Sequence, residues 1–198
     1  MTRSVSDNQA TIPRRAASAS QESSPPSTKH SVHYSSDRQD WGTPPSFISW
    51  YTERIGHQFN LDAAASAENA KADHYYTIED NSLERSWWGH VWLNPPFGRE
   101  LPQWLEKCAE QIKNPMVHSI HVLIPARTDT KWFHDIVMPN AYLVYLIKGR
   151  FNFRFDEATP GANAPFPSML VVYRKHNLPD AGVTVMAVPK EARGYVDD

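Results

Sequence analysis

Two consecutive prolines, Pro95 and Pro96, follow the strand-like run 90–93 after a single residue, Asn94. Neither has a backbone N–H for a strand ladder and each fixes its own φ angle, so the run must end as a strand in a rigid, extended turn. Further on, apolar or small side chains recur at helical spacing and predict an amphipathic helix: Leu101, Trp104, Leu105, Cys108, Ala109 and Ile112. The segment therefore predicts a strand, a tight turn and a helix.

Two similar units flank this one. Residues 59–62 are predicted to form a short buried strand, and 63–71 to form a small-residue turn that leads into a helix. Residues 120–124 are predicted as another strand, with a helix around 132–137. Strands that alternate with helices are typical of an α/β fold with a mostly parallel sheet.

The C-terminal part has a different pattern. Four segments with Gly, Pro or Asn between them are typical of strands, and they predict an antiparallel C-terminal edge of the sheet: 142–147, 150–155, 168–173 and 183–188. Beyond the N-terminal tail, only the loop 156–167 is long enough to predict a function, either closing over a ligand or simply connecting strands.

The folded domain is predicted to begin at Trp41. Residues 1–40 are rich in Ser, Thr, Gln, Pro and Ala, and they contain too little apolar surface to offset the entropy of the chain. We predict a disordered tail over 1–40 and one domain over 41–198. Thr43-Pro44-Pro45 has the pattern of an N-cap with proline at the first helical position. Apolar side chains follow it at helical spacing: Phe47, Trp50, Tyr51 and Ile55.

Composition excludes several classes of protein. The chain has 20 Lys and Arg against 22 Asp and Glu, a formal charge of −2, which excludes a uniformly basic surface but permits a local basic groove. The single cysteine, Cys108, excludes an internal disulfide or a cysteine-based zinc cluster and is typical of a reducing cytosol. Apolar runs fall short of the roughly 18–20 residues of a membrane helix, and the N-terminus lacks the apolar core of a secretory signal. We expect a cytoplasmic protein that does not bind membranes.

The nine histidines are scattered along the chain. His118 and His121, three residues apart in a predicted strand, face opposite sides of it. The sequence therefore favours no histidine metal site.

Asn94-Pro95-Pro96-Phe97 has residues suited to holding a planar amine. Ligands of open α/β sheets bind at the carboxyl ends of the strands. There a rigid turn can direct the Asn94 side-chain oxygen and the Pro95 carbonyl at one amino group, while Phe97 offers a flat face to a ring. Two acceptors favour a pyramidal nitrogen and offset the positive charge that develops when the amine attacks an electrophile. The alternative is an ordinary Pro-Pro turn with a packed Phe97.

The motif resembles that of S-adenosylmethionine-dependent amino-methyltransferases. Five segments between about residues 41 and 173 together resemble the phage-type DNA N6-adenine methyltransferase (Dam) family: Trp41-Gly42-Thr43-Pro44, Leu61-Asp62-Ala63-Ala64-Ala65-Ser66, Asn69-Ala70-Lys71, Val91 to Arg99, and Gly149-Arg150. The resemblance implies a Rossmann-like domain that transfers methyl from S-adenosylmethionine to adenine N6 in DNA, in the cytoplasm of a bacterial or phage-infected cell. Adenine must then be extruded from the duplex or lie in a single strand.

The resemblance also implies roles for individual residues. Asn94, Pro95, Pro96 and Phe97 would form the catalytic motif that holds adenine. The cofactor would bind at five residues, of which Thr43 and Pro44 would lie against its methionine moiety: Thr43, Pro44, Asp62, Ala63 and Asp80. Asp62 is alternatively a helix-capping carboxylate, and Thr43-Pro44 alternatively a plain helix cap.

One loop departs from the pattern of the broader methyltransferase group. Such enzymes have a glycine-rich loop after the first strand, whereas this chain has Ala63-Ala64-Ala65-Ser66. An acidic residue for the ribose hydroxyls is also expected. Asp73, Glu79 and Asp80 are candidates, Asp80 being favoured, and each is alternatively a surface charge.

Two arginines are predicted to contact DNA. Arg127 follows a strand and would reach phosphate or the cofactor carboxylate, or else pair with Asp129. Arg150 begins the alternating segment 150–155, which is alternatively a half-buried strand. Two other functions stay open: methylation of an RNA base or a protein glutamine, because the motif suits any planar amine, and non-catalytic nucleic-acid binding, because the glycine loop is missing.

Overall fold

The computed structural model describes residues 42–153, 162–175 and 183–188, so the predicted tail lies outside the described residues. The described strands are β1 (Leu61–Asp62), β2 (His74–Tyr75), β3 (Gly89–Leu93), β4 (Val117–Pro125), β5 (Leu143–Ile147), β6 (Asn152–Phe153), β7 (Ala162–Asn163), β8 (Ser168–Arg174) and β9 (Thr184–Val188). The helices are α1 (Pro45–Ile55), α2 (Leu101–Gln111) and the short α3 (Met138–Asn140). A 3₁₀ turn covers Ser82–Glu84, and a π-helical turn, Phe133–Val137, leads into α3.

Seven of these strands form one sheet in the order β2-β1-β3-β4-β8-β5-β9, while β6 and β7 pair separately. β1 is parallel to β2 and β3, β3 to β4, and β5 to β9. Among the described strands of this sheet, only β8 runs antiparallel to its partners, β4 and β5. The mixed α/β, mostly parallel sheet is therefore confirmed.

The predicted antiparallel C-terminal part of the sheet is confirmed for β8, but its place is wrong, because β8 lies inside the sheet and the edge strand β9 is parallel to its neighbour. The reason is the unbroken apolar character of β8, which is buried from Ser168 to Tyr173. Such a run is typical of a strand covered on both faces. β9, in contrast, is exposed at its first four residues and suits an edge.

Alternation along the strands divides the core between the two faces of the sheet. Val91 and Leu93 of β3 pack with α2 on one face, whereas Trp92 packs with Phe47 and Tyr51 of α1 on the other. α1 points in the direction opposite to that of the parallel strands. Phe47, near its start, contacts Phe151 beyond the carboxyl end of β5, with ring centroids 5.0 Å apart. Thus the residues that precede α1 lie at the carboxyl edge of the sheet.

The helices predicted after Thr43-Pro44-Pro45 and after the Pro95-Pro96 turn are confirmed as α1 and α2, but details differ. Pro44 occupies the cap position of α1 and no side chain caps the helix, so Thr43 is not an N-cap. The strand predicted over 120–124 is longer in the structure, where it covers the whole of β4. The helix expected around 132–137 contains the π-helical turn. The described part of the chain contains no helix long and apolar enough to cross a membrane.

The turn predicted over 63–71 is confirmed, but the helix predicted to follow it is wrong: turns lead from β1 directly to β2. The cause is competition from polar side chains for backbone N–H groups. The Asp62 carboxylate accepts hydrogen bonds from the N–H groups of Ala64 at 3.3 Å and Lys71 at 2.9 Å. Asn69 Oδ1 accepts another from Ser66 N at 2.8 Å. These bonds fold the connection into a compact loop.

Two glycines with positive φ provide a matched test of packing at the start of β3. Gly89 (φ +67°) faces Asn60, and a Cβ there would collide with Asn60 Oδ1, which accepts the His90 N–H bond at 2.8 Å. Gly56 (φ +75°) has open space around the same position. We expect Gly56→Ala to lower the free energy of unfolding by about 1–2 kcal/mol, the cost of the left-handed conformation. Gly89→Ala should lower it by about 2–3 kcal/mol because overpacking adds to that cost. Urea unfolding of both variants measures the difference, and equal losses would contradict the role given to Asn60.

Candidate active site

The rigid turn predicted after β3 is present, because the strand ends at Leu93 and extended residues follow. Asn94 is half-buried with its Oδ1 atom buried, Pro95 is buried, and Pro96 and Phe97 are half-buried. The turn leads within a few residues into α2. A buried carboxamide oxygen at a strand end is thus held by backbone that the two prolines keep stiff.

A second aromatic ring meets Phe97 at this turn. The rings of Phe97 and Phe166 are 5.4 Å apart between centroids and cross at 83°, an edge-to-face contact. Phe166 precedes β8, and the Pro167 carbonyl accepts a hydrogen bond from Ala126 N at 2.8 Å just beyond β4. The end of the predicted functional loop is therefore tied to the turn, while its first half, 156–161, lies outside the described residues.

Topology brings the predicted site residues to one edge of the sheet. β3, β4 and β5 run in the same direction, because β8 is antiparallel to both β4 and β5. Asn94, Arg127 and Arg150 follow the carboxyl ends of these three strands. This is the edge at which ligands of open α/β sheets bind.

The two arginines differ in their surroundings. Arg127 is exposed, and its guanidinium makes no ion pair with any residue in the described ranges, Asp129 included. Arg150 is also exposed, but its Nη1 donates a hydrogen bond to the Ala164 carbonyl at 3.1 Å. Arg127 therefore presents its charge to solvent, whereas Arg150 in addition fixes the backbone near the Phe166 loop.

Thr43 presents a buried hydroxyl at the same edge. The residue is 2% exposed, and within the described ranges its Oγ1 has no hydrogen-bond partner. Such a buried group is costly unless a ligand or a water molecule satisfies it. Because Thr43 precedes α1, whose first turn lies beside Phe151, the buried hydroxyl lies near the carboxyl edge of the sheet.

Sequence reasoning did not single out Ser168, a second group of this kind. Ser168 pairs with Pro125 at the carboxyl end of β4, and it is 1% exposed. Its Oγ also lacks a hydrogen-bond partner among the residues that the structure describes. The signal in the sequence is a hydroxyl at the start of the otherwise apolar run 169–173.

Asp62 lies at the carboxyl end of β1 and is 2% exposed. No helix follows it, so its interpretation as a helix cap is wrong; its carboxylate instead holds the loop to Lys71. Burial raises the pKa of Asp62 to about 7, although hydrogen bonds from the N–H groups of Lys71 and Ala64 oppose the shift. Next to it, Ala63 is fully buried and donates its N–H to the Trp92 carbonyl.

The raised pKa of Asp62 predicts a specific pH dependence of stability. An unfolded aspartate ionises near pH 3.8, whereas the folded group keeps its proton up to about pH 7. Between these values the folded state binds more protons, so this carboxyl group makes the fold less stable as pH rises. The measured quantity is the free energy of unfolding of the wild type minus that of Asp62→Asn. This difference should fall by roughly 3–4 kcal/mol from pH 4 to pH 8, because the contributions of all other titrating groups cancel between the two proteins. A flat difference would rule out the shift.

Asp80, the acid favoured for the ribose, is engaged within its own turn. Its Oδ2 accepts hydrogen bonds from Thr77 N at 2.9 Å and Thr77 Oγ1 at 3.0 Å, which lower its pKa, and its Oδ1 lies 4.0 Å from Arg85. Asp73 and Glu79 are exposed. A role for Asp80 in binding ribose stays a prediction.

Comparison with known proteins agrees with the motif. Residues 30–194 match the model of the family described as DNA N-6-adenine-methyltransferase (Dam). The DNA N-6-adenine-methyltransferase of Escherichia phage T1 is 38% identical over 112 residues, which cover 55% of this chain and 45% of the phage protein. YfdM of Escherichia coli (strain K12), named provisionally as a methyltransferase, is 36% identical over 64 residues, covering 29% of this chain and 69% of that protein. The match to the phage protein thus spans less than half of that relative's length.

Proposed function

Because the chain belongs to the DNA N-6-adenine-methyltransferase (Dam) family, we propose that it transfers a methyl group from S-adenosylmethionine to N6 of adenine in DNA. The observation that carries the proposal is the position of Asn94-Pro95-Pro96-Phe97 at the carboxyl end of β3, in a sheet whose other carboxyl ends carry Arg127 and Arg150. The mostly parallel order of the strands around this edge supports a Rossmann-like methyltransferase domain.

The proposed task of the motif is to hold and activate the adenine amino group. Asn94 Oδ1 and the Pro95 carbonyl each accept one N6 hydrogen, and Phe97 stacks on the purine ring. These acceptors draw the lone pair of N6 out of conjugation and stabilise the positive charge that forms on nitrogen during attack. Pro96 adds rigidity, so the acceptors need little reorganisation as the reaction proceeds.

S-adenosylmethionine, when bound, supplies an electrophilic methyl group. The buried Thr43 hydroxyl at the carboxyl edge fits such a ligand, because a polar group of the methionine moiety would satisfy it. Asp62 and Ala63 would form the wall of the same pocket at the end of β1. Alanines in place of glycines suit this loop, because the Asp62 bonds to Ala64 N and Lys71 N fix its backbone without a glycine.

DNA is the proposed acceptor. An adenine extruded from the duplex, or already single-stranded, would enter beside Phe97 and Phe166, while Arg127 and Arg150 would lie near the phosphate backbone. These two cations are local features of a chain whose formal charge is −2. We therefore expect binding to be guided by this edge of the sheet rather than by the whole surface.

A transfer assay with a labelled methyl group tests the proposal. The full chain is incubated with labelled S-adenosylmethionine and with DNA that lacks adenine methylation, RNA or a protein mixture, and the products are digested and identified by mass spectrometry. N6-methyladenine in the DNA supports the proposal. Label in RNA or protein alone would refute DNA as the acceptor, and no transfer together with retained DNA binding would favour a non-catalytic binding protein.

A further inference from the structure

Three histidines that are far apart in sequence meet at the opposite, amino edge of the sheet. His90 lies near the start of β3, and His121 lies at the middle of β4, where it pairs with Trp92, two residue pairs further along the ladder. His57 follows Gly56 at the end of α1. The three residues each bring a ring nitrogen to a common point, and these nitrogens all lie within 4.8 Å of one another.

We propose that His57, His90 and His121 bind one divalent transition-metal ion, with Zn²⁺ as the expected occupant. Imidazole nitrogens are preferred ligands of Zn²⁺ and its first-row neighbours. Nitrogens that share a tetrahedral Zn²⁺ at bond lengths of about 2.0–2.1 Å are about 3.3–3.4 Å apart. The spread within 4.8 Å thus requires only small movements of the rings.

The His57 ring can make the rotation that metal binding requires. Its ring is half-buried on a turn beyond α1 and stacks on His90, with centroids 3.6 Å apart and planes inclined by 18°. Parallel rings point their nitrogen lone pairs alongside each other, so His57 must tilt for both rings to share an ion. A side chain on an exposed turn can make that rotation without repacking the core.

Hydrogen bonds already support two of the rings as metal ligands. Tyr51 Oη lies 2.7 Å from Nδ1 of His121, and the Gln58 carbonyl lies 3.3 Å from Nδ1 of His57. An N–H on each Nδ1 can donate to these oxygens, which leaves the Nε2 lone pair for an ion. Metal-binding histidines usually have such a second partner.

A serine hydroxyl lies between the rings of His90 and His121. Ser119 Oγ is 2.7 Å from Nε2 of His121 and 2.8 Å from Nδ1 of His90. With a single hydrogen, the hydroxyl can donate to only one of these nitrogens. On metal binding it would give up the bond to His121 or add an oxygen donor beside the nitrogens.

The charge state of the cluster suits a cation. Burial is the main cause that lowers the pKa of each imidazole, to about 4 for His90 and well below the ordinary range for His121. Neutral imidazole is the form that binds metal, so no proton has to be displaced at neutral pH. Arg174 is the nearby positive charge that opposes an ion, and its guanidinium lies over the Tyr142 ring at 6.0 Å.

Metal titration of the full chain, prepared without a polyhistidine tag, tests this proposal. Calorimetry with Zn²⁺ should give one tight equivalent, and Co²⁺ should produce the visible absorption of a nitrogen-ligated ion. We expect His57→Ala and His90→Ala each to weaken binding by at least about 100-fold. His134→Ala, which removes an exposed histidine on the other side of the sheet, is the matched control and should bind as the wild type does.

His121→Ala is less informative because His121 is 3% exposed and its loss endangers the fold. His57 and His90 are half-buried, and circular dichroism verifies that their variants fold. Absence of a stoichiometric Zn²⁺ or Co²⁺ site in the wild type, or unchanged affinity in both variants, would overturn the proposal. The result is independent of methyl transfer, because Asn94 is four residues along β3 from His90, about 13 Å away.

Discussion

Asn94→Ala is expected to reduce methyl transfer to adenine by about 10²–10³-fold, the usual effect of removing one preorganised polar group that stabilises developing charge. Asn94 supplies one of the two proposed acceptors for N6, and its Oδ1 is buried at the end of β3. Without it, the Pro95 carbonyl alone faces the amino group, and the lone pair stays conjugated with the purine. Single-turnover transfer at saturating DNA and cofactor measures the loss directly.

Binding measurements separate this effect from a general defect. S-adenosylmethionine affinity, measured by calorimetry, should change little in Asn94→Ala, because the residue is assigned to the adenine and not to the cofactor. Gln103→Ala removes a carboxamide of similar chemistry from the exposed face of α2 and should transfer methyl at the wild-type rate. Near-normal turnover in Asn94→Ala would remove the residue from the mechanism.

Trp87→Ala should have the largest effect on stability, a loss of about 3–5 kcal/mol in the free energy of unfolding. Trp87 is fully buried, and its indole Nε1 donates to the carbonyl and hydroxyl oxygens of Ser82. Its backbone N–H donates to Gln111 Oε1 at 2.9 Å. Truncation leaves a large cavity between the 3₁₀ turn and α2, and it removes the donor to Ser82.

The next residue is the control. Trp88 is 36% exposed, and its ring meets His74 edge-on at 5.3 Å. Trp88→Ala should therefore cost less than about 1 kcal/mol. Urea unfolding followed by far-ultraviolet circular dichroism compares the two variants without depending on tryptophan fluorescence. Similar losses for both would contradict the packing described around Trp87.

Local patterns account for what could be predicted from the sequence. The end of β3 at Leu93 follows from the chemistry of the prolines beyond it, and α1 and α2 follow from apolar spacing, because both signals act within a few residues. The same reasoning failed for the helix predicted after the turn 63–71, because a side chain there binds the backbone N–H groups. There the Asp62 carboxylate, nine residues from Lys71, decides the conformation.

Features that join distant parts of the chain could not be predicted. The position of β8 depends on which strand edges are free when it pairs, although its unbroken apolar run does favour an interior place. The contact between Phe97 and Phe166 and the grouping of His57, His90 and His121 arise only from the order of the strands. The separation of His118 and His121 in sequence gave no indication of that cluster.

The place of β8 also sets an order of events during synthesis. β4 and β5 are complete by residue 147, yet β8, the strand that pairs with both of them, follows only when residues 168–174 leave the ribosome. Until then each strand presents an open, apolar edge of the kind that pairs with other chains. A translation pause or truncation between those points should therefore yield an aggregation-prone nascent chain, whereas the β1–β3–β4 half already has its mutual contacts.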